Sequence, residues 1–475
     1  MIPRLTTLLA ATALSCLAVP AFAGPARADA TQTERGGWSD ANRATFRSVL
    51  AQRDRHGLDR VAFLSPVADS GDAASVTKAY NKAALDYAAA LAHGLSDPSS
   101  LHEVYTVARP TSDPETELAT ALRDGTLEQW LNGLAPDDAE YRSLSDAYRA
   151  AVRATATGAP TIPVTKSIHA GDTDPRVAAI ARQLADDGYL AQVPGDAEAG
   201  SYSPAIADAV KSLQRDYGIR RDGIVGPNTL AVINLRPGDR ARALAVALER
   251  RRWLSRTPPA TRIDVNTAAA ELRYYRDGQL VDRRKVIVGE PGRETPPLGS
   301  PIYRLVANPT WTVPKSIDVS SATVRAKHMR RVNGYWVQPS GPDNALGLVK
   351  FDMQNNQAIY LHDTSSPELF DRSQRHLSHG CIRVADALGF ARMLADQEGV
   401  GEAWQKAHES GSYEIVDLPR QIPVRLLYQN AFVADDGAVS VRTDPYGWND
   451  AVAVKLGFDA AETGKAKAEA IDIGP

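Results

Sequence analysis

The sequence predicts a multidomain protein in which a helical N-terminal half precedes a β-rich C-terminal half. The chain has 475 residues, and at roughly 150 residues per domain this length corresponds to about three domains. Apolar residues recur at helical spacing before residue 235, whereas short alternating apolar runs follow residue 262. Hydrophobic residues make up 43% of the chain and charged residues 23%, close to globular averages, so wholesale disorder is excluded.

The overall charge argues against a nucleic-acid partner. Lys and Arg number 54 against 57 Asp and Glu, and a net charge of −3 provides no bulk basicity to attract a polyanion. Locally, residues 262–331 hold 13 Lys and Arg against 7 Asp and Glu. That surplus suits an anionic polymer or a carboxylate-bearing ligand, and a solvated surface explains it equally well.

The N-terminus has the order of a secretory signal peptide. In residues 1–23, Arg4 precedes an apolar run from Leu8 to Val19, and Ala21-Phe22-Ala23 follows as a small-x-small cleavage site. Cleavage as late as residue 30 and an uncleaved anchor are the alternatives. The run is short of the roughly 20 apolar residues that a spanning helix needs, and no later stretch of the sequence approaches that length. We expect an exported protein with no stable membrane span.

Two cysteines, Cys16 and Cys381, are too few for a disulfide-stapled fold or a Cys-rich zinc domain. Removal of the signal peptide takes Cys16 with it. Cys381 is then the single thiol in an oxidising compartment, where it is either a small buried hydrophobe or a reactive group.

Residues 38–155 are predicted to form a helical scaffold domain. Apolar residues recur at helical spacing along one face of a predicted helix that ends at Gly94. The residues of this face are Val76, Tyr80, Ala84, Tyr87 and Leu91. A stripe of this kind is typical of a core rather than of a binding face. The Thr-, Gly- and Pro-rich residues 155–164 predict a linker.

Residues 166–235 are predicted to form a compact three-helix unit. The first helix is expected to begin at Asp174-Pro175, and the third follows a tight Gly/Pro turn within residues 222–230. The buried faces of the first two helices are predicted at Val177, Ile180 and Leu184 and at Ile206, Val210, Leu213 and Tyr217. The segment from Gly171 to Asn234 resembles the peptidoglycan-binding module of cell-wall enzymes. A generic three-helix bundle is the alternative.

Residues 262–450 are predicted to form a β-rich domain. Strands are expected at residues 263–266, 271–275, 285–288, 348–352, 358–362 and 423–431. Arg276-Asp277-Gly278-Gln279 predicts a hairpin turn between two of them. One late helix is expected over residues 384–394, and residues 459–475 are expected to be a flexible tail.

The residues that could carry chemistry cluster around Cys381. His362, His376 and His379 are three of the nine histidines and lie within 19 residues of it. A nucleophilic thiol needs a base or a cation nearby, and imidazole serves both needs. In an extended segment His379 and Cys381 point the same way, and His362 is far enough upstream to lie on a neighbouring strand. Gly380 permits an unusual backbone conformation, and the helix expected directly after Cys381 favours a thiolate and an oxyanion hole of backbone N–H groups.

Two other roles for Cys381 stay open. A structural zinc site using His376, His379 and Cys381 would lack the second ligand cluster that such sites normally have. A buried, inert cysteine with incidental histidines is the other alternative. The local density of bases favours the reactive thiol, and no metal or cofactor is expected.

These residues resemble the signature of the L,D-transpeptidase family, an upstream His followed by Ser/Thr-His-Gly-Cys-x-Arg. The matching residues are His362 and Ser378-His379-Gly380-Cys381-Ile382-Arg383. The likeness extends to residues 338–347, 349–351 and 360–364. Together with the preceding module and helical region, it is similar to the domain order of the large periplasmic, YcbB-type subgroup of Gram-negative bacteria. Ala385 departs from the family, in which a polar residue often follows the Arg.

The resemblance implies a YkuD-like, β-rich catalytic domain with a mobile cap at about residues 315–338. Cys381 would attack the third stem residue of a tetrapeptide donor and expel D-alanine, and His362 would be the general base, oriented by a backbone carbonyl. Backbone N–H groups of Gly380 and Cys381 would hold the oxyanion. His379 and Arg383 would order the site, with a substrate carboxylate as the alternative ligand of Arg383. Weaker candidates for substrate contact are Tyr360, Trp311 and Ser378.

The same resemblance implies 3→3 cross-linking of peptidoglycan, with the side-chain amine of a second diaminopimelate as acceptor. The expected partners are stem peptides and glycan, with other cell-wall synthases as further partners, and the expected compartment is the periplasm. Roles in wall remodelling and cell shape, and acylation of Cys381 by carbapenems, are also implied. Two alternatives stay open: an L,D-carboxypeptidase or hydrolase that uses water as acceptor, and a non-catalytic wall-binding scaffold.

Overall fold

The computed structural model describes residues 38–154, 161–235, 237–315, 317–434 and 436–460. The predicted signal peptide with Cys16, most of the predicted linker and nearly all of the predicted tail lie outside these residues. Within them, no helix combines the length and the apolar character needed to cross a bilayer.

The first part of the chain is helical, as the sequence predicts. Its helices are α1 (Asp40–Ala51), α2 (Ala73–His93), α3 (Pro98–Leu101), α4 (Pro114–Asp124), α5 (Leu127–Leu134) and α6 (Ala139–Ala154). All five residues of the predicted apolar stripe are buried on α2, which ends at Gly94. Asp72 caps the start of this helix by accepting a hydrogen bond from the Ser75 N–H. The scaffold prediction is confirmed at the level of its helices and its buried face.

The next unit has the three predicted helices. They are α7 (Val177–Asp186), α8 (Pro204–Asp216) and α9 (Pro227–Ile233). The predicted buried faces of α7 and α8 are buried. The first helix begins at Val177, a short distance after the predicted start at Asp174-Pro175, and the Asp174 carboxylate accepts hydrogen bonds from both the N–H and the side chain of Arg176.

One long helix, α10 (Pro237–Arg252), joins the helical half to the β-rich half and was not predicted. Its residues from Leu244 to Leu248 are all buried, so its apolar positions do not fall on one face. A helix surrounded by protein on several sides lacks the one-sided periodicity that identifies an amphipathic helix.

Among its described residues, the C-terminal half contains fourteen strands and four further α-helices. The strands are β1 (Arg262–Asn266), β2 (Glu271–Arg276), β3 (Gln279–Gly289), β4 (Leu298–Ala307), β5 (Trp311–Thr312), β6 (Arg330–Val332), β7 (Tyr335–Gln338), β8 (Val349–Met353), β9 (Leu361–His362), β10 (His376–Ser378), β11 (Ile382–Val384), β12 (Glu414–Leu427), β13 (Ala431–Val433) and β14 (Val439–Val441). The helices are α11 (Ser321–Ala326), α12 (Ala387–Gln397), α13 (Gly401–Glu409) and α14 (Asn449–Lys455).

Nine of these strands form one mixed sheet in the order β10-β3-β11-β9-β8-β4-β12-β1-β2. An additional pairing of β2 with β3 closes the ring and leaves β10 outside it, so the sheet is a barrel. The barrel interior and α12 share one apolar core, which includes Leu272, Phe351, Phe390 and Leu394. The predicted hairpin turn at residues 276–279 joins β2 to β3.

Several element boundaries in this half differ from the prediction. The strand expected at residues 358–362 is only β9, because Ala358 adopts a left-handed conformation with φ 54°. The segment expected as one strand at residues 423–431 is the end of β12 and the start of β13. The late helix expected over residues 384–394 is present as α12 but begins later, at Ala387, because Val384 belongs to β11; a second helix, α13, follows it and was not predicted.

A small subdomain covers the region predicted as a cap. It consists of α11 and a three-stranded sheet in the order β5-β7-β6. It has its own apolar core, made of Trp311, Val313, Ile317, Met329 and Leu346.

The last described residues fold back onto the helical half. Residues Ala431, Val441, Val452, Leu456 and Phe458 belong to the apolar core of the scaffold and the three-helix unit. Arg250 on α10 is buried and donates to the Asn449 side chain (2.6 Å) and to the Trp448 carbonyl (3.0 Å). The C-terminal segment therefore ties the barrel to the helical half.

Candidate active site

Two adjacent parallel strands bring the predicted catalytic residues together. β9 pairs with β11 so that Leu361 lies opposite Ile382 and His362 opposite Arg383. The same register places the preceding residues, Tyr360 and Cys381, beside each other, and the Ile382 N–H donates to the Tyr360 carbonyl at 3.0 Å. Side chains alternate along a strand, so Tyr360 and His362 share a face with Cys381 and Arg383. The expectation that His362 lies on a strand next to Cys381 is confirmed.

His362 is fully buried and oriented by the backbone. Its Nδ1 is 2.5 Å from the carbonyl oxygen of Asp363, and because a carbonyl only accepts, Nδ1 carries the hydrogen. The Asp363 carboxylate is turned away and accepts a hydrogen bond from the Leu348 N–H at 2.9 Å. Among the described residues, no hydrogen-bonding partner reaches His362 Nε2. The lone pair of Nε2 is therefore available to accept a proton.

Cys381 is buried beside Tyr360. Its Sγ is 3.5 Å from the carbonyl oxygen of Ala358. Burial raises the pKa of Cys381 to about 11, against the opposing effect of hydrogen bonds from Tyr360 and of the charges on Lys350 and Arg383. The Cys381 side chain is therefore a neutral thiol at neutral pH in this state.

The imidazole of His362 is neutral for the same reason. Burial, with the positive charges of Arg383 and Lys350 adding to it, holds the pKa of His362 well below its usual range. The Tyr360 ring packs edge-on against His362 with ring centroids 5.7 Å apart, and Lys350 Nζ lies 4.3 Å from the Tyr360 ring centroid. The site thus pairs an uncharged thiol with an uncharged base in an environment of fixed positive charge.

The loop before Cys381 is held by hydroxyl groups. Gly380 has φ 116°, a conformation that side chains disfavour. Ser378 Oγ donates to the Cys381 carbonyl at 2.6 Å and accepts from the Gly380 N–H at 3.2 Å. Thr295 Oγ1 donates to the Gly380 carbonyl at 2.8 Å and accepts from the Gly289 N–H at 2.9 Å. The backbone that presents Cys381 is therefore fixed from two sides.

Four expectations about this loop and its neighbours need correction. Cys381 is followed by β11 and not by a helix, so no helix N-terminus favours its thiolate. The segment from His379 to Cys381 bends at Gly380 and is not extended, so the alternation argument does not apply to it. Ser378 is fully buried and bonds within its own loop, which leaves it no surface for a substrate. Arg383 is also fully buried, which removes the alternative that it receives a substrate carboxylate in this state.

Trp311 is the predicted site residue that does not reach the site. It is 1% exposed and forms part of the cap core, so it offers almost no surface to a substrate. Tyr360 packs against this same core and also against the barrel core. Tyr360 therefore packs between the core of the cap and the Cys381 thiol.

Comparison with known families identifies this domain. Residues 260–402, which hold Cys381, His362 and the loop around them, match the model described as "L,D-transpeptidase catalytic domain". This part of the chain is similar to L,D-transpeptidase catalytic domains.

The rest of the chain matches two further models. Residues 33–147 match a "Scaffold domain" and residues 173–233 a "Putative peptidoglycan binding domain". A "Putative L,D-transpeptidase" of Haemophilus influenzae is 31% identical over 218 residues, which are 39% of this chain and 44% of the relative. The match thus spans less than half the length of that relative. The domain boundaries at residues 38–155, 166–235 and 262–450 remain predictions.

Two solved L,D-transpeptidases are similar at low sequence identity. The structure from Xylanimonas cellulosilytica is 19% identical, with a TM-score of 0.19, and covers 57% of this chain and 99% of its own. The structure from Stackebrandtia nassauensis is 15% identical, with a TM-score of 0.22, and covers 57% of this chain and 97% of its own. At these TM-scores the likeness carries no argument about this chain.

Three residues near the transpeptidase site were missed by sequence reasoning. Lys350 lies opposite His362 in the β8–β9 pair and places its charge at Tyr360. Thr295 holds Gly380, and Tyr446 donates to the Gly289 carbonyl at 2.6 Å in the same network. Of the three, only Lys350 could have been found from the sequence, because it lies within residues 349–351, one of the segments that resemble the family. Thr295 and Tyr446 are distant in sequence, and only the fold brings them to the loop.

The described residues contain no group of three or more His, Cys, Asp and Glu side chains arranged to hold a metal ion. His376 does not approach Cys381 as a zinc ligand would. Its Nε2 is 2.9 Å from the Thr267 carbonyl oxygen, and its ring packs edge-on against Tyr446. His376 therefore supports the barrel wall of the transpeptidase domain.

Proposed function

We propose that this protein is a peptidoglycan L,D-transpeptidase in which Cys381 is the nucleophile and His362 the general base. The observation that carries the proposal is the orientation of His362. Its Nδ1–H is held by the Asp363 carbonyl, so Nε2 is the proton acceptor on the strand face that also carries Cys381. A buried thiol beside a backbone-oriented imidazole is an arrangement for acyl transfer.

The first half-reaction would transfer the donor acyl group to Cys381. His362 Nε2 accepts the thiol proton as sulfur attacks the carbonyl carbon of the third stem residue. The Cys381 N–H is the first candidate donor to the oxyanion, and the Gly380 N–H, held by Ser378 Oγ at 3.2 Å, is the second. The C–N bond then breaks, and D-alanine leaves with the proton carried by the imidazolium.

The second half-reaction would form the 3→3 cross-link. The side-chain amine of a second diaminopimelate attacks the thioester, His362 accepts a proton from that amine, and the Cys381 thiol is regenerated with it. The match of residues 173–233 to a peptidoglycan-binding domain supports the wall strand as substrate. The signal-peptide pattern supports a periplasmic location.

Product analysis separates this function from the alternatives. The purified full chain is incubated with disaccharide-tetrapeptide, and products are identified by mass spectrometry. We expect a cross-linked dimer together with free D-alanine. Tripeptide without dimer would instead support water as acceptor, and unchanged substrate would support a non-catalytic wall-binding scaffold.

Two variants test the assigned roles. Cys381→Ala removes the nucleophile and should lower D-alanine release by at least about a thousandfold. His362→Gln should lower it by about a hundredfold or more, the usual scale of general base catalysis. Retained binding of Cys381→Ala to isolated sacculi is the control for folding. Full activity of either variant would contradict the role given to that residue.

A further inference from the structure

A cavity of about 190 Å³ lies where the three-helix module meets the transpeptidase barrel. The module contributes Arg215 and Arg221 to its wall, the barrel side contributes Arg375, and the C-terminal segment contributes Arg442. The Arg221 N–H donates to Ser373 Oγ at 3.3 Å across this junction. We refer to it as the arginine cavity.

The wall of the arginine cavity holds four arginines, of which Arg215 is paired with Asp216, a residue outside the wall. In the described part of the chain, no Asp or Glu lines the cavity. Arg375 is held by backbone carbonyls, with Nε 3.1 Å from the Val286 oxygen and one terminal nitrogen 3.0 Å from the Ala270 oxygen. Arg442 is likewise bound to the carbonyls of Arg215 and Asp216. A carbonyl orients a guanidinium but leaves its charge uncompensated.

The acids nearest to these arginines already have partners. Asp216 is paired with Arg215 at 2.8 Å, and Glu271 is paired with Arg273 at 2.6 Å. Burial, with the charge of Arg442 adding to it, lowers the pKa of Arg375 to about 10. Burial also lowers the pKa of Arg442. Both guanidiniums are thus held as cations in a place that disfavours positive charge, and a bound anion would relieve this cost.

The position of the cavity indicates what the anion belongs to. It opens into a groove of about 620 Å³ with which it shares Tyr217, His376 and Arg442. This groove reaches Pro291, within the loop of residues 289–295 that holds Gly380 through Thr295. One wall is the peptidoglycan-binding match and the other is the transpeptidase domain. A ligand that contacts both walls would be a peptidoglycan strand, because that polymer is named in the first match and is the proposed substrate of the second domain.

We propose that the arginine cavity binds a carboxylate of a peptidoglycan stem peptide and so aligns the wall strand between module and active site. This rests on the proposed function, which supplies the polymer. Stem peptides carry free carboxylates, and guanidinium groups bind planar oxyanions through paired N–H donors. The cavity is the size of a carboxylate with a few neighbouring atoms, while the adjoining groove is large enough for the peptide.

The test measures binding without turnover. The full chain carrying Cys381→Ala is titrated with disaccharide-tetrapeptide by calorimetry, alone and with Arg221→Gln or Arg442→Gln added. We expect each added substitution to weaken binding by about fivefold or more, the scale of one charge-assisted hydrogen bond. Arg221 is the key position, because its side chain is exposed and its replacement leaves the core intact.

Arg220→Gln is the matched control. Arg220 is the neighbouring arginine of the same module, its side chain is 88% exposed, and it lies 3.4 Å from Asp222, outside the cavity wall. Its replacement should leave the affinity unchanged. Equal loss in Arg220→Gln and Arg221→Gln, or unchanged affinity in both Arg221→Gln and Arg442→Gln, would overturn the proposal.

Competition separates carboxylate from phosphate as the source of the anion. A tetrapeptide with all carboxylates amidated should bind more weakly and should be insensitive to Arg221→Gln. If inorganic phosphate binds in an Arg221-dependent way while the amidated peptide binds as well as the free acid, the cavity serves phosphate and the stem-peptide assignment is wrong. D-alanine release by the unmodified chain reports separately on the proposed function.

Discussion

Burial sets the protonation states of Cys381 and His362 at the residue scale. The thiol pKa is raised to about 11 and the imidazole pKa is depressed, so the resting pair is uncharged and not a thiolate–imidazolium pair. Proton transfer to His362 would then accompany attack by sulfur instead of preceding it. The fixed charges of Lys350 and Arg383 favour the negative sulfur that develops.

The first prediction concerns the reactivity of the Cys381 thiol. Because its pKa is raised to about 11, the thiolate fraction grows about tenfold per pH unit below that value. Alkylation by iodoacetamide, followed by intact mass, should therefore accelerate by about tenfold per unit between pH 6 and pH 9. The unfolded chain, with an ordinary thiol, provides the control and should level off near pH 9. A rate that is already constant at pH 7 would contradict a neutral resting thiol.

The second prediction concerns Thr295 as a positioning residue. Thr295→Val keeps the shape but removes the hydroxyl that joins the Gly289 N–H to the Gly380 carbonyl. We expect kcat to fall by about tenfold with KM little changed, because a loosened Gly380 loop misplaces Cys381 and its N–H donors. Thr295→Ser keeps the hydroxyl and should restore kcat to within about threefold. If Ser and Val variants were equally impaired, the hydroxyl would have no positioning role.

At the element scale, α10 is held by a fully buried ion pair. Glu249 and Arg252 lie one helical turn apart with their charged atoms 2.6 Å apart, and both side chains are fully buried. Glu249 also accepts from the N–H and the hydroxyl of Ser96, each at 2.7 Å, and Arg252 donates to the Tyr141 hydroxyl at 2.9 Å. These contacts connect the helix to two segments of the scaffold.

The third prediction follows from that pair. Glu249→Gln leaves the buried Arg252 charge without its partner and should lower the free energy of unfolding by about 3 kcal/mol. Asp86→Asn, which breaks the exposed pair with Lys82 on α2, is the control and should change it by less than about 0.5 kcal/mol. Urea unfolding followed by circular dichroism measures both. Similar effects in the two variants would contradict a special role for the buried pair.

At the scale of the whole molecule, one buried and two partly buried histidines link stability to pH. Burial is the first cause that lowers the pKa of His56 to about 3, of His102 to about 4 and of His376 to about 4. His56 lies in the scaffold, His376 lies on β10 beside the barrel, and His102 packs edge-on against Trp448 of the C-terminal segment. Protonation of these histidines at acidic pH therefore destabilises both halves of the protein and the junction between them.

The fourth prediction gives the sign of that dependence. Below pH 6.5 the unfolded chain binds protons that the folded histidines exclude, so stability is complete above pH 6.5 and is lost toward pH 4. Each of the three contributes a slope of up to about 1.4 kcal/mol per pH unit. Urea unfolding at pH 7.5, 6, 5 and 4.5 should show this loss. His362, whose pKa is also depressed by burial, adds a fourth contribution. His376→Asn should therefore flatten the slope by about a quarter, and a stability that stays level down to pH 4.5 would exclude the linkage.

The fold could be predicted from sequence where each element buries one face. The α2 stripe and the buried faces of α7 and α8 were predictable because helical spacing separates apolar from polar positions. Helix α10 was missed because protein surrounds it on several sides. The late helix was placed too early, since the apolar residue Val384 suits a buried strand as well as a helix.

From the sequence alone, Cys381 and His362 could be proposed as a catalytic pair, because a rare thiol among histidines is a chemical pattern that local residues carry. The sequence also determined the multidomain order, since helical and strand periodicities follow one another along the chain. The neutral states of Cys381 and His362, the burial of Ser378, Arg383 and Trp311, and the network through Thr295 and Tyr446 emerge only from the folded structure. Burial and contacts between distant segments arise when the barrel closes and the C-terminal segment folds back, and neither is encoded in any one stretch of chain.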